Sequence, residues 1–186
     1  IFKSFFCNYF RKVTLTQNIF KQTNQIIIMK LSVRKGFGFG LTSGIITTLG
    51  LIVGLNSTTH STIVIIGGII IIAIADALSD SLGMHISEEA ENKHSVKEIW
   101  ESTITTFISK FIFALTFIIP ILIFQLSTAI IISIIWGLSL ISIFSYYVAK
   151  RERIKPYKVI REHLMIAILV IILTDFVGKI VSIIFR

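Results

Sequence analysis

Five long apolar stretches follow one another along the chain, separated by short polar segments. They cover Phe37–Leu55, Thr62–Met84, Thr103–Phe124, Thr128–Val148 and Leu164–Phe185. Each holds about 20 residues, which is enough for a helix to cross the hydrocarbon core of a bilayer. The stretches lack the alternating apolar and polar positions of a barrel strand, the other structure that can span a membrane. The pattern predicts an all-α membrane protein with five transmembrane helices.

Composition supports this class, because 54% of the residues are hydrophobic and only 15% are charged. We therefore expect an integral membrane protein, in the cell membrane of a prokaryote or in an organelle membrane of a eukaryote. Short loops leave no room for a separate soluble domain.

The distribution of basic residues predicts the orientation. The segment before Phe37 and the loop after Val148 are rich in Lys and Arg, whereas segments 56–61 and 125–127 contain neither. By the positive-inside rule, the N-terminus is cytoplasmic and the C-terminus lies on the opposite side. The net charge of +8 then reflects topology and attraction to anionic lipid. Nucleic-acid binding is not expected, because the basic residues are divided between a tail and a loop.

The first 28 residues differ from the rest, since they contain no acidic residue and precede Met29. We interpret residues 1–28 as a disordered upstream or leader segment, with Met29 as the natural start and an organelle presequence as the alternative. Residues 29–186 form the membrane domain. Cys7 is the single cysteine, so neither a disulfide framework nor a thiolate metal site is expected.

The second span carries two carboxylates, Asp76 and Asp80, on one helical face. A carboxylate at the bilayer centre costs about 2.5–3.5 kcal/mol, and such acids usually mark an ion or proton path. The alternative is a structural pair satisfied by hydroxyl groups or by a lysine of a neighbouring helix. The same face continues to Met84 and Glu88.

The predicted cytoplasmic loop, residues 88–101, adds further metal-ligand candidates. His85 has Glu88 three residues later, and Glu91 has His94 at the same spacing, which brings side chains together on a helix. Carboxylate and imidazole ligands suit Fe(II), Mn(II) or Zn(II). A solvated acidic helix with Glu/Lys pairs is the alternative.

Other spans contribute packing and charge. Gly40 and Gly44 are spaced for close helix contact, within the chain or across a dimer. We expect Lys110 to snorkel towards the membrane surface, with pairing to a second-span carboxylate as the alternative. Asp175 and Lys179 are four residues apart and form either a neutralising pair or a proton relay coupled to the second span.

The runs from Gly40-Leu41-Thr42-Ser43 to Gly54 and from Ala77 to Ser87 resemble the vacuolar iron transporter family of divalent-metal/proton antiporters. The resemblance implies a five-helix bundle with a cytoplasmic N-terminus, a homodimer, and a pathway between the first two helices. Four positions depart from the family pattern. Phe39 replaces the acid of the first helix, Asp80 replaces a methionine ligand, Met84 replaces a glutamate, and Asp76 replaces a small residue.

Together these observations predict a transporter that removes Fe²⁺ or Mn²⁺ from the cytoplasm in exchange for protons. The metal is a substrate, and no permanent cofactor is expected. The intramembrane site would consist of Asp76, Asp80 and Met84, and a cytoplasmic collecting site of His85, Glu88, Glu91 and His94. No nucleophile–base motif indicates an enzyme. The alternative function is a non-transporting membrane subunit or regulatory protein with the same fold, which uses Gly40 and Gly44 to bind partner helices.

Overall fold

The computed structural model describes the backbone of residues 2–185 and the side chains of residues 31–185. The leader predicted at residues 1–28 lies outside the fully described part, as do Cys7 and Met29. The helices are α1 (Phe2–Thr59), α2 (Thr62–Ala90), α3 (Val96–Thr116), α4 (Ile118–Ile123), α5 (Leu126–Arg151) and α6 (Pro156–Ile184).

Within the described residues, five helical segments are long and apolar enough to cross a membrane. They are Leu31–Thr59, Thr62–Ala90, Val96–Ile123, Leu126–Arg151 and Pro156–Ile184. The prediction of five spans in an all-α membrane protein is therefore confirmed. Each helix is longer than the apolar stretch that predicted it, because residues outside that stretch, many of them polar, continue the helix at one or both ends.

The third span is interrupted near Pro120, where α3 ends at Thr116 and α4 begins at Ile118. Proline lacks an N–H group, and its ring clashes with the carbonyl four residues earlier, which is that of Thr116. The interruption after Thr116 is therefore explained by Pro120.

Helix α1 lies at the centre of the bundle and contacts α2, α3, α5 and α6. Its buried side chains, including Ile45, Leu49 and Ile52, form the core together with Ile65 of α2, Ile141 of α5 and Phe117 between α3 and α4. One end of the bundle holds the α2–α3 turn, the α5–α6 turn and the turns of α1 that directly follow Ser32. We call this the basic end, because it carries Arg34, Lys35 and the Lys- and Arg-rich segment 150–161.

Glycines bring α1 and α3 into backbone contact. A Cβ atom on Gly40 would lie 2.5 Å from the carbonyl oxygen of Thr106, and one on Gly44 would lie 3.0 Å from that of Lys110. The surface at these glycines is thus covered by α3 of the same chain. The alternative in which they bind helices of a partner protein is therefore wrong. Gly54 and Gly178 bring α1 and α6 together in the same way.

Candidate functional site

Three helices bring together a charged cluster inside the membrane region, formed by Ser43, Asp76, Asp80 and Lys110. Lys110 Nζ lies 2.5 Å from Asp76 Oδ2 and also contacts Asp80 Oδ2. It donates a hydrogen bond of 3.0 Å to Ser43 Oγ, while Ser43 Oγ donates one of 2.6 Å to Asp80 Oδ2. Lys110 is only 1% exposed. The expectation that it snorkels is wrong, because two carboxylates hold its ammonium group inside the bundle.

The position of Lys110 follows from the small residues of α1. Since Gly44 has no side chain, α3 approaches α1 closely, and Lys110 Cγ lies 3.2 Å from the position of a Gly44 Cβ. The aliphatic stem therefore runs along the glycine, and its ammonium group reaches α2. Buried Ala77 and Ser81 on α2 leave room for this approach.

The cluster has one more negative than positive charge when all three groups are ionised. The side chains of Asp76 and Asp80 are 28% and 23% exposed, whereas that of Lys110 is 2% exposed. The carboxylates therefore lie at the surface of the single chain, with the lysine behind them. A buried ammonium without a partner is strongly destabilising, so at least one carboxylate is required for the fold.

A second cluster lies at the basic end and consists of Glu88, Glu91 and His94. One ligand atom from each lies within 4.8 Å of the others. His94 Nε2 is 3.2 Å from Glu88 Oε2 and 3.3 Å from Glu91 Oε2, and Lys35 Nζ is 3.0 Å from Glu88 Oε1. This is the kind of oxygen and nitrogen donor set that divalent transition metals bind.

Two atoms of this cluster, Glu88 Oε2 and His94 Nδ1, are buried without a hydrogen-bond partner among the described residues. His94 Nε2 lies 3.2 Å from Glu88 Oε2 but forms no hydrogen bond with it. A buried carboxylate oxygen without a hydrogen bond is costly, and a metal ion bound there would remove that cost.

The turn between α2 and α3 places His94. Helix α2 ends at Ala90, and Asn92 adopts a positive φ of 51°, which asparagine tolerates better than most residues. Ser95 then caps α3 in a capping box with Glu98. This reversal returns His94 towards Glu88 and Glu91. Glu98 serves as part of the cap.

Two other predicted ligands lie elsewhere. His85 Nδ1 is 3.0 Å from Thr103 Oγ1, and its ring meets Trp100 edge-on with centroids 4.9 Å apart. The structure therefore directs His85 to α3 and does not bring it into the cluster of Glu88, Glu91 and His94. Met84 is half-buried and lies on α2 between Asp80 and Glu88.

Asp175 and Lys179 form an ion pair of 2.7 Å, and Ser57 Oγ donates a hydrogen bond of 2.5 Å to Asp175 Oδ1. Ser57 and Ser43 are 14 residues apart on α1, which corresponds to about 21 Å along the axis. The pair is thus remote from Asp80, the partner of Ser43. Its geometry is that of the neutralising pair, and no described contact links it to the second-span acids.

Sequence reasoning missed Ser43 and Lys35. Ser43 was read only as one of the small residues of the first span. Lys35 was read only as one of the charges that indicate orientation. A partner for either residue depends on which helices are neighbours, and the sequence pattern does not give that.

A groove of about 570 Å³ between α1 and α2 ends at Asp76. Its other lining residues are apolar or glycine, from Leu51 and Leu55 on α1 to Val64, Gly67 and Ile71 on α2. Val64 and Asp76 are 12 residues apart, so the groove runs about 18 Å along α2. It leads from the intramembrane cluster towards the end opposite the basic end.

Comparison of the chain with family models, curated proteins and solved structures gives no match. The fold defines an integral membrane protein with five helices long enough to span a bilayer. Its candidate sites are one carboxylate–lysine cluster within the bundle and one Glu/His cluster at the basic end.

Proposed function

We propose that this protein transports a divalent metal cation, Fe²⁺ or Mn²⁺, out of the cytoplasm in exchange for protons, as a divergent member of the vacuolar iron transporter family. The observation that carries the proposal is the convergence of Glu88, Glu91 and His94 at the predicted cytoplasmic end of α2. That helix also carries Asp76 and Asp80. A metal-ligand cluster and intramembrane acids on one helix are the parts that a cation pathway needs.

Glu88, Glu91 and His94 would form the collecting site. Lys35 is the ammonium group that a cation would replace beside Glu88, and its side chain is 38% exposed, so it can turn to solvent. Glu91 is 43% exposed and can meet a hydrated ion first. Glu88, at 3% exposure, would then hold the partly dehydrated ion.

From the collecting site, the acidic face of α2 leads into the bundle. Glu88, Met84, Asp80 and Asp76 follow one another at four-residue spacing, which places them along one side of the helix over about 18 Å. Beyond Asp76, the apolar groove along α1 and α2 continues towards the opposite end. Cation ligands are therefore concentrated in the half of the path nearest the basic end.

Lys110 would act as the resident counterion of the intramembrane site. Its ammonium group occupies the space between Asp76 and Asp80 that a divalent cation would take. A cation and this ammonium are thus alternative partners for the same two carboxylates, and the cation can bind both only when Lys110 moves away. Such competition would couple metal entry to a rearrangement of α3 against α2.

The homodimer belongs to the same proposal, with α2 as its interface. Gly83 has nothing within 4 Å of a Cβ position, and exposed Ala75 and Ser79 precede it at four-residue spacing. Small residues at four-residue spacing allow close contact between membrane helices. A second copy packed on this surface would cover the exposed sides of Asp76 and Asp80.

A non-transporting membrane subunit is the second candidate. It is favoured by the neutralisation of Asp76 and Asp80 by Lys110 and Ser43, since a purely structural cluster needs no further ligand. The two functions differ in metal binding, which a structural subunit does not require.

Titration of the purified protein with Mn²⁺, followed by the loss of the free-ion paramagnetic resonance signal, tests the collecting site. We expect saturable binding that Glu88→Gln or His94→Ala weakens by at least about tenfold, the loss typical of a disturbed metal site. Glu89→Gln is the matched control, because Glu89 is exposed and lies outside the cluster. Absence of saturable binding, or equal weakening by Glu89→Gln, would contradict the proposal.

A further inference from the structure

The basic end carries a second groove that the proposed transport path does not use. It has a volume of about 600 Å³ and lies between α1, α5 and α6. Apolar side chains line its depth, among them Phe37, Ile46, Phe144 and Ile166, and the charged side chains Arg34 and Arg151 lie at its mouth. A groove that is apolar along its length and cationic at one end matches an amphiphile with an anionic head.

The dimensions agree with one leaflet of a bilayer. Arg34 and Ile46 both line the groove and are 12 residues apart on α1, which corresponds to about 18 Å. One leaflet contributes about 15 Å to the hydrocarbon thickness. An acyl chain that begins beside Arg34 would therefore reach the deep end of the groove near the bilayer centre.

The charges at the mouth are available for a ligand. Among residues 31–185, Arg151 donates one hydrogen bond, to the Tyr147 hydroxyl at 3.4 Å, and no carboxylate of this range forms an ion pair with Arg34 or Arg151. Lys35 and Glu152 also line the groove, so its lining carries three cationic side chains and one carboxylate. Guanidinium groups bind phosphate through paired hydrogen bonds.

We infer that this groove binds an anionic glycerophospholipid of the leaflet at the basic end. Arg34 and Arg151 hold its phosphate, and an acyl chain lies along Phe37 and Ile46 between α1 and α6. Basic pockets between membrane helices on the cytoplasmic side recognise anionic head groups in this way. The inference does not rest on metal transport, since none of the metal-ligand candidates lines this groove; Lys35 of the lining is shared with the Glu/His cluster through its ion pair with Glu88.

Native mass spectrometry of the purified full chain tests the inference. The probes are phosphatidylglycerol and phosphatidylcholine with identical acyl chains. At about 1 kcal/mol per basic residue near an anionic lipid, the double variant Arg34→Gln/Arg151→Gln should reduce the preference for phosphatidylglycerol by about 30-fold. The matched control, Lys97→Gln/Arg161→Gln, removes two exposed cations outside the groove and should retain the preference.

Equal retention of the two lipids by the parent would overturn the inference, because the groove would then not select an anionic head group. Equal loss of the preference in the control variant would also overturn it, because the preference would then reflect overall charge. Displacement of the lipid by glycerol 3-phosphate or by a short-chain phosphatidylglycerol would overturn the role of the acyl groove. An unchanged melting temperature of the double variant in lipid-free detergent would show that the loss arises from the site and not from unfolding.

Discussion

The geometry of the intramembrane cluster predicts that removal of the Lys110 charge destabilises the protein. Lys110→Met keeps most of the side-chain volume along Gly44 but leaves Asp76 and Asp80 without their cation. Deleting one partner of a buried ion pair costs about 3–5 kcal/mol. Because the two carboxylates are 28% and 23% exposed, we expect a loss of about 3 kcal/mol, the lower end of that range.

The assay is the free energy of unfolding in mixed detergent micelles, followed by helicity. Lys97→Met is the control, since Lys97 is 75% exposed and lies 3.8 Å from Glu101. Loss of an exposed ion pair of this kind lowers the free energy of unfolding by less than about 0.5 kcal/mol. The triple variant that also carries Asp76→Asn and Asp80→Asn should recover most of the stability, because no uncompensated charge remains.

A Lys110→Met variant as stable as the Lys97→Met control would refute this role of Lys110. A triple variant less stable than Lys110→Met alone would refute it as well. Either result would mean that the ammonium group does not offset the carboxylates in the folded protein.

Two further predictions concern packing and orientation. Gly40→Ala should destabilise the bundle by about 1–3 kcal/mol, because its Cβ would lie 2.5 Å from the Thr106 carbonyl oxygen. The control is Gly83→Ala, whose Cβ meets nothing within 4 Å. This variant should leave the unfolding free energy of the monomer unchanged or raise it. In whole cells, a cysteine at Asn56 should react with a membrane-impermeant maleimide while one at Lys155 should not. Labelling of both from the same side would contradict the five-span orientation.

The sequence predicted the spans because membrane insertion depends on local composition. A window of about 20 apolar residues identifies a helix without knowledge of its neighbours. The same reasoning failed for Lys110, since its depth in the third span allows both snorkelling and pairing. The outcome depends on the distance between α1 and α3, which Gly40 and Gly44 make short.

The two histidines of the α2–α3 region show a similar limit. His94 joins Glu88 because the chain reverses at Asn92, a turn that spacing along a helix does not predict. His85 has the helical spacing to meet Glu88, yet its ring lies between Thr103 and Trp100 of α3. Contacts within one helix compete with contacts between helices, and the sequence gives only the first kind.

Mn²⁺ uptake into proteoliposomes that contain a trapped pH indicator tests most directly whether Asp76 and Asp80 bind a metal during transport. Asp80→Asn and Asp76→Asn each leave Lys110 with one carboxylate, so both variants should fold. We expect the parent to couple Mn²⁺ movement to opposite proton movement, and each variant to lose both fluxes while it melts like the parent. Mn²⁺ flux in both variants equal to that of the parent, or no metal-dependent flux in the parent, would contradict the claim.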